Sequence, residues 1–247
     1  MSYFIFNDVS SLDLGIIVTE PVIRPTWGKE ILEIETAGSA VKFMQEKSNY
    51  KNSEFVIKTA VSDDDPIAVR NKIRSIYSVL NGFGKLWLSD SPEEYLNVII
   101  QPIVPETKAF VLAEIPIYVT CQPFAYAVMP TVVEFSAETV EVPNNGTVFS
   151  YPEIKFTPTS DDVTITINGV DFMIKDLSSV GDISLIGKEV TVDSENHVTY
   201  FIGSDGLKWA INDHTFNDYP RLHTGMNYIS HNGNAQNAEI NVRERFL

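Results

Sequence analysis

Residues 163–174 are Val163-Thr164-Ile165-Thr166-Ile167-Asn168-Gly169-Val170-Asp171-Phe172-Met173-Ile174, and this stretch predicts a β-hairpin. Apolar and polar side chains alternate on both sides of Asn168-Gly169, a dipeptide in which both residues tolerate positive φ in a two-residue turn. Asp205-Gly206 carries the same signal between residues 197–202 and 207–211. The two patterns indicate that this part of the chain is built from antiparallel strands.

Further short strands surround the two hairpins. They are predicted at residues 189–192, 226–230 and 238–242. No helical pattern of useful length follows residue 131. Short strands at such regular spacing are typical of a β-sandwich, so residues 131–247 are predicted to form an all-β domain.

The N-terminal half differs, and we place a domain boundary near Pro130 in a stretch punctuated by prolines. A helix is predicted after Asp63-Asp64-Asp65, because these carboxylates can cap it and Pro66 suits a first helical position. Its apolar residues recur at helical spacing until Gly82: Ile67, Ile73, Ile76, Tyr77 and Leu80. Strands are predicted at residues 84–89, 96–100 and 109–120. Residues 1–130 are therefore predicted to be an α+β domain, mostly β with one main helix.

Two charged patterns lie in this first domain. Between Lys29 and Glu35, the side chains of Leu32 and Ile34 share one strand face, and those of Glu33 and Glu35 share the other. The glutamate face is either exposed to solvent or lines a water-filled space. The helix carries three basic residues on its exposed side: Arg70, Lys72 and Arg74. This side is interpreted as a solvated face that balances the acidic first turn, with contact to an acidic neighbouring subunit as the alternative.

The chain is acidic, with 33 acidic and 18 basic residues among 247 and a formal net charge of −15. Residues 1–130 carry −5 of this charge and residues 131–247 carry −10. Nucleic acids and anionic membranes are bound through Lys and Arg, so this charge argues against specific binding to either.

The N-terminus and the cysteine content predict where the chain is made. Residues 1–8 lack the basic start and apolar run of a secretory signal, and no apolar run is long enough to span a bilayer. Cys121 is the single cysteine, so neither an internal disulfide nor a multi-cysteine zinc site can form. A reducing compartment is therefore expected.

No catalytic, cofactor-binding or metal-ligating residue is predicted, and the chain is not expected to be an enzyme. The sequence has neither a Gly-x-Ser-x-Gly elbow nor a phosphate-binding glycine loop, and Cys121 lies in an apolar strand. The histidines lack the spacing of a zinc site: His197, His214, His223 and His231. Trp209 with Asp205, Asn212 and Asp213 could form a carbohydrate-binding patch, but a core tryptophan beside a polar loop is the preferred interpretation.

Several short segments carry a resemblance to a known family. In the first half these are residues 6–16, residues 73–80 leading into 84–95, and Ile117-Tyr118-Val119-Thr120-Cys121-Gln122-Pro123-Phe124-Ala125-Tyr126. In the second half they are residues 144–147, 151–154, 219–222 and 225–229. Their order and spacing resemble the distal tail proteins of bacteriophages with long, non-contractile tails. Residues 35–40 depart from the Pro-Gly-Arg-x-Gly-like stretch of many members.

The resemblance implies a structural virion protein without a cofactor. Members form a homo-oligomeric ring, usually a hexamer, that joins the tail tube to the tail-tip or baseplate adsorption apparatus and lets DNA pass. The N-terminal domain makes the ring, and a galectin-like C-terminal sandwich projects outward. Implied partners are tail-tube protein, tail-tip or tail-associated protein, and receptor-binding or fibre proteins, in a virion assembled in the bacterial cytoplasm. The alternative function is a carbohydrate-binding module that contacts host cell-wall polysaccharide through the sandwich.

A ring around DNA gives the acidic charge a possible role. An acidic lumen repels phosphate and lets DNA slide, whereas a basic lumen would hold it. Glu33 and Glu35 are the candidates for such a wall.

Overall fold

Antiparallel strands dominate the computed structural model, which describes residues 2–24, 26–35, 41–101 and 106–247. The chain divides into two compact units, one of residues 1–128 with Leu247 and one of residues 129–246. The predicted mostly-β fold with one main helix is confirmed for the described residues. None of their helices has the length and apolar character needed to cross a bilayer.

The first unit contains one main sheet, one helix and a separate hairpin. Its elements are β1 (Phe4–Phe6), β2 (Val9–Ser10), β3 (Ile17–Val18), β4 (Lys29–Ile34), β5 (Phe43–Tyr50), β6 (Ser53–Ser62), α1 (Pro66–Val79), β7 (Gly82–Leu88), β8 (Ser91–Ile100), β9 (Glu106–Ala109) and β10 (Leu112–Ala127). The main sheet has the strand order β2-β1-β7-β8-β10-β6-β3, and β9 also pairs with β10. Among the described residues, β4 and β5 pair only with each other. Residues 36–40, which include most of the segment that departs from the family pattern, lie outside the described residues.

Helix α1 begins where its sequence predicts. The Oδ1 atom of Asp65 accepts a hydrogen bond from the backbone N–H of Ile67 at 3.0 Å, and Pro66 occupies the first turn. Val69 and Ile76 are buried. Ile67, however, is 65% exposed. It lies nine residues before Ile76, which is two and a half turns, so the two side chains point to opposite sides of the helix.

Strand β10 contains a bulge at the characteristic Pro-Phe-x-Tyr segment. Alternate side chains of its first part are buried: Ala113, Ile115, Ile117, Val119 and Cys121. The pairing with β8 shifts register between Cys121 and Ala125, and Phe124 has a φ of 77°. The bulge breaks the alternation, and as a result the consecutive residues Phe124, Ala125 and Tyr126 are all buried.

The second unit consists of two antiparallel sheets around one core. Its strands are β11 (Val132–Phe135), β12 (Val140–Asn144), β13 (Glu153–Pro158), β14 (Val163–Ile167), β15 (Val170–Ile174), β16 (Val190–Asp193), β17 (Val198–Ile202), β18 (Lys208–Ala210), β19 (Thr215–Phe216), β20 (Gly225–His231), β21 (Ala235–Asn241) and β22 (Arg245–Phe246). One sheet has the order β11-β21-β13-β16-β17-β18, and the other has the order β12-β20-β14-β15-β19; β22 belongs to neither of these two sheets. Buried side chains of both sheets, such as Phe156 and Val192 from the first and Ile165 and Phe172 from the second, belong to a single cluster.

The two predicted hairpins both form, with different connections. Ile167 pairs with Val170 across Asn168 and Gly169, whose φ angles are 51° and 81°, as a two-residue turn requires. The second hairpin pairs Ile202 with Lys208. Its connection is therefore five residues long, and the two-residue turn predicted at Asp205-Gly206 is wrong. The Asp205 carboxylate accepts the N–H of Leu207 at 3.0 Å, which holds the wider loop.

Candidate interaction surfaces

The β4–β5 hairpin exposes apolar side chains on both faces. Ile34 lies opposite Phe43, and Glu33 lies opposite Met44. Phe43 is 66% exposed and Met44 is 73% exposed. Ile31, Leu32 and Ile34 are also exposed. A two-stranded ribbon with this much apolar surface is marginal by itself in water, so this surface favours contact with another protein.

Ion pairs lie between these apolar side chains. The Nζ atom of Lys42 is 2.7 Å from Glu35 and 3.6 Å from Glu33. Lys29 pairs with Glu46 at 2.9 Å, and Lys47 pairs with Glu30 at 2.9 Å. The proposed acidic wall at Glu33 and Glu35 therefore carries a lysine, which offsets part of its negative charge.

The basic side of α1 makes one contact with its own N-terminal loop. The Nζ atom of Lys72 is 2.9 Å from the carboxylate of Asp63 and donates to the carbonyl oxygen of Ser62 at 2.9 Å. The hydrogen bond from Lys72 is the largest cause that lowers the pKa of Asp63. Arg70 and Arg74 are exposed. The first turn of α1 contains no acidic residue, so the expected acidic first turn is wrong: the aspartates lie just before the helix, where Lys72 pairs with Asp63.

Cys121 and His231 are both buried. Burial raises the pKa of the Cys121 thiol to about 12, so it stays protonated near neutral pH and is a poor nucleophile. The backbone N–H of Gly233 donates to Nδ1 of His231 at 3.0 Å, and the ring packs edge-on against Phe135. Burial lowers the pKa of His231. Both residues act as core side chains.

The other histidines are spread over the second unit. The ring of His214 bonds the carbonyl of Lys175, whereas His197 and His223 line a cavity described below. Within the described residues, no group of three or more His, Cys, Asp or Glu side chains is arranged to hold a metal ion.

Trp209 lies at the surface, and its assignment to the core is wrong. It lies on β18, at the edge of its sheet, and is 52% exposed. Its indole Nε1 is 3.4 Å from Asp205 Oδ1. Asn212 belongs to a different group, because its amide bonds His197, Thr199 and Tyr219. The candidate carbohydrate-binding patch around Trp209 therefore retains Asp205 but lacks the amide of Asn212.

A cavity of about 600 Å³ lies within the second unit. Its walls come from the β14–β15 hairpin, the turn before β17 and the loop after β19. The aromatic lining residues are Tyr151, Phe172, His197 and Tyr219. The polar ones include Asp171, Asn217, Asp218, Arg221 and His223. Such a mixture of aromatic surface and a few polar groups is typical of a small-molecule site.

Sequence reasoning missed this cavity because its lining comes from distant segments. Residues 219–222 were singled out only as part of the family resemblance. Some of the lining positions have a positive φ, as residues of functional turns often do, but this is visible only in the folded chain. Asn217 has a φ of 73° and His197 has a φ of 50°.

Comparison with known proteins identifies the fold. No protein-family model matches the chain, and no curated protein matches it. The solved structure of the Dit protein of SPP1, described as a paradigm of the hub adsorption apparatus in phages that infect Gram-positive bacteria, aligns over 100% of both chains with 14% identity and a TM-score of 0.77. A chain of the phage P2 baseplate, activated with Ca, aligns over 98% of this chain and 97% of its own at 8% identity and a TM-score of 0.54. A chain of the phage p2 baseplate activated with Sr aligns over 99% and 98% at 8% identity and a TM-score of 0.52. At these identities the similarity shows the fold, and at that level the resemblance to distal tail proteins is confirmed.

Proposed function

We propose that this chain is a distal tail protein of a bacteriophage, a structural component of the tail-tip adsorption apparatus. The observation that carries the proposal is the alignment with SPP1 Dit over the full length of both chains. An alignment of that extent includes both units, so it supports the same two-part organisation. Because fold alone does not determine function, the proposal also depends on which surfaces of the chain can contact other molecules.

The proposed assembly is a closed ring, a homo-hexamer, around the path of the DNA. In a cyclic ring one surface of each subunit contacts a different surface of the next. The β4–β5 hairpin offers one such surface, because Phe43 and Met44 are exposed apolar side chains on a ribbon that pairs with no other described strand. A second copy of this chain is the partner we propose for it.

The division of labour between the units is part of the proposal. Residues 1–130 would form the ring and contact tail-tube protein. Residues 131–247 would form a galectin-like sandwich that contacts tail-tip, receptor-binding or fibre proteins, after assembly in the host cytoplasm. A non-enzymatic role is supported by the protonated, buried thiol of Cys121 and the buried ring of His231.

Light scattering and negative-stain imaging of the purified chain test the ring. A closed ring is expected at micromolar concentration, either alone or after addition of tail-tube protein. Phe43→Ser with Met44→Ser is expected to leave monomers, whereas Ile202→Ser, an exposed apolar position of the second unit, is expected to assemble normally. A monodisperse monomer in every condition would contradict the proposal.

The carbohydrate-binding alternative is favoured by one specific observation, the aromatic cavity of the second unit. It concerns a different surface from the hairpin, so the two functions can coexist in one chain.

A further inference from the structure

The aromatic wall of the cavity is held in place by hydrogen bonds. The rings of His197 and Tyr219 stack with centroids 5.2 Å apart and planes 3° apart. The hydroxyl of Tyr219 donates to Oδ1 of Asn212 at 3.2 Å, and Nδ2 of Asn212 donates to the carbonyl of His197 at 3.1 Å. Thr199 adds its hydroxyl, 3.3 Å from that of Tyr219. One amide thus links the hydroxyl of Tyr219 to the backbone of His197, which supports the stacked arrangement of the two residues.

Two further rings extend this wall. Tyr151 lies edge-on to His197, with centroids 6.0 Å apart and an interplanar angle of 80°. Phe172 packs against Tyr219 at 5.2 Å and is itself buried. Arg245 lies over the ring of Tyr151, with its guanidinium carbon 5.0 Å from the centroid. The exposed surfaces of Tyr151 and His197 therefore rest on a rigid, packed base.

The polar groups at the cavity have capacity left for a ligand. The side chains of Asp218 and Arg221 are exposed and make no hydrogen bond or ion pair with the described part of the chain. Asp171 accepts one hydrogen bond, from the hydroxyl of Thr166 at 2.7 Å, which leaves its second carboxylate oxygen available. The backbone of His223 bonds Asn227, but its ring faces the cavity without such a bond.

We propose that this cavity binds a short neutral saccharide, which rests on the carbohydrate-binding alternative given above and specifies its ligand. The C–H face of a pyranose ring would lie against His197, with Tyr151 beside it, and its hydroxyls would donate to Asp218 and Asp171 and accept from Arg221. Aromatic surface combined with a few polar groups is the chemistry that recognises sugars. The volume of about 600 Å³ suits a short saccharide, since small-molecule sites span roughly 300–1,000 Å³.

The charge of the cavity selects against anionic ligands. Two carboxylates, those of Asp171 and Asp218, and one guanidinium, that of Arg221, line the cavity. Residues 131–247 also carry a net charge of −10. A phosphate- or carboxylate-bearing glycan would be repelled by both, whereas a neutral sugar would not.

Saturation-transfer difference NMR on the full chain tests the site. The probes are D-glucose, D-galactose and N-acetylglucosamine, with D-glucuronate as an anionic counterpart of glucose. We expect transfer to at least one of the three neutral sugars and less or none to glucuronate. Absence of transfer to all three, or a preference for glucuronate, overturns the proposal.

Two variants test whether the sugar binds in this cavity. The double variant Asp218→Ala with Arg221→Ala is expected to weaken the binding of the responsive sugar at least about tenfold, because each substitution leaves hydroxyls without a partner. Both side chains are exposed, so the thermal unfolding midpoint should not change. Trp209→Ala, at the other exposed aromatic patch, is expected to bind as the unmodified chain does. Unchanged binding by the double variant, or loss of binding in Trp209→Ala, overturns the assignment to this cavity.

The result of the sugar-binding test can be distinguished from the result of the ring-assembly test. The saccharide site lies in the second unit, and the hairpin lies in the first. The double variant should therefore assemble as the unmodified chain does in light scattering, whatever its sugar binding. Loss of assembly in this variant would mean that Asp218 and Arg221 belong to a subunit contact, which overturns their role as sugar ligands.

Discussion

The guanidinium of Arg243 donates from Nη1 to Oδ1 of Asp193 over 2.8 Å, which ties the segment after β21 to the end of β16. Its other terminal nitrogen bonds Glu153 on β13 at 2.5 Å. Arg243 has a φ of 52°, so its backbone is held in the left-handed region at this junction. Asp193 is 7% exposed, which makes its carboxylate dependent on these partners.

Arg243→Met is expected to lower the free energy of unfolding of the second unit by about 3 kcal/mol, because it leaves a buried carboxylate without its guanidinium. Urea unfolding at pH 7, followed by circular dichroism, measures the loss. Arg221→Met is the matched control, since Arg221 is exposed, and it should cost no more than about 0.5 kcal/mol. Equal losses in the two variants would contradict a structural role for the Arg243 cluster.

The same cluster predicts a dependence of stability on pH. Burial raises the pKa of Asp193, but hydrogen bonds from Asn196 and Arg243 outweigh it and hold the pKa below its ordinary value. The unfolded chain, with an aspartate pKa of about 3.9, then binds protons first as the pH falls. The contribution of Asp193 is therefore complete above about pH 5 and is lost as the pH falls through the folded-state pKa.

Thermal unfolding midpoints between pH 7 and pH 2 measure this effect. Asp193→Asn should show a shallower fall in midpoint with acidification than the unmodified chain. Asp213→Asn, at an exposed position in the same unit, serves as the control. Parallel curves for Asp193→Asn and the unmodified chain would rule out the linkage.

The N-cap of α1 offers a third prediction. Asp65→Ala removes the carboxylate that accepts the N–H of Ile67 and should destabilise the first unit by about 1 kcal/mol. Asp64→Ala removes an equal charge from the adjacent exposed position and should cost less. Chemical denaturation of both variants tests this, and a larger loss for Asp64→Ala would show that charge, and not capping, matters here.

The hypothesis of an acidic lumen gives a fourth prediction. Glu33→Lys with Glu35→Lys replaces the partners of Lys42 by like charges and should slow genome ejection roughly tenfold if the residues line the DNA path. Release of DNA from purified virions, followed with a fluorescent dye, gives the rate. Glu138→Lys with Glu141→Lys, exposed positions of the second unit, controls for total charge. Unchanged ejection in the first variant would remove Glu33 and Glu35 from the lumen.

The sequence predicted correctly those elements that depend on interactions between neighbouring residues, such as a helix cap or a two-residue turn. The capping aspartate and Pro66 placed α1, and Asn168-Gly169 placed the β14–β15 turn, because both depend on neighbouring residues alone. Pro143, by contrast, lies within β12, although proline is rare inside strands. β12 is an edge strand, where a proline without an N–H is tolerated, and edge position is a tertiary property that sequence reasoning could not see.

The candidate site depended on long-range contacts and escaped prediction. Trp209 was assigned to a core because tryptophans are usually buried, but it lies on the edge strand β18. The stack of His197 on Tyr219 joins residues from different loops through Asn212. No periodicity links these positions, so only the folded chain reveals the cavity.

The ion pairs of the β4–β5 hairpin limit the contacts that this hairpin can make with other chains. A free ribbon edge with apolar side chains invites stacking with identical ribbons and so aggregation. Any such stack would have to include three lysines that each pair with a glutamate: Lys29, Lys42 and Lys47. Burying these charged groups in the stack would be costly. In the proposed ring these lysines would act as gatekeepers: they would disfavour stacking of identical ribbons and would restrict the hairpin to a partner whose surface leaves the charges in water.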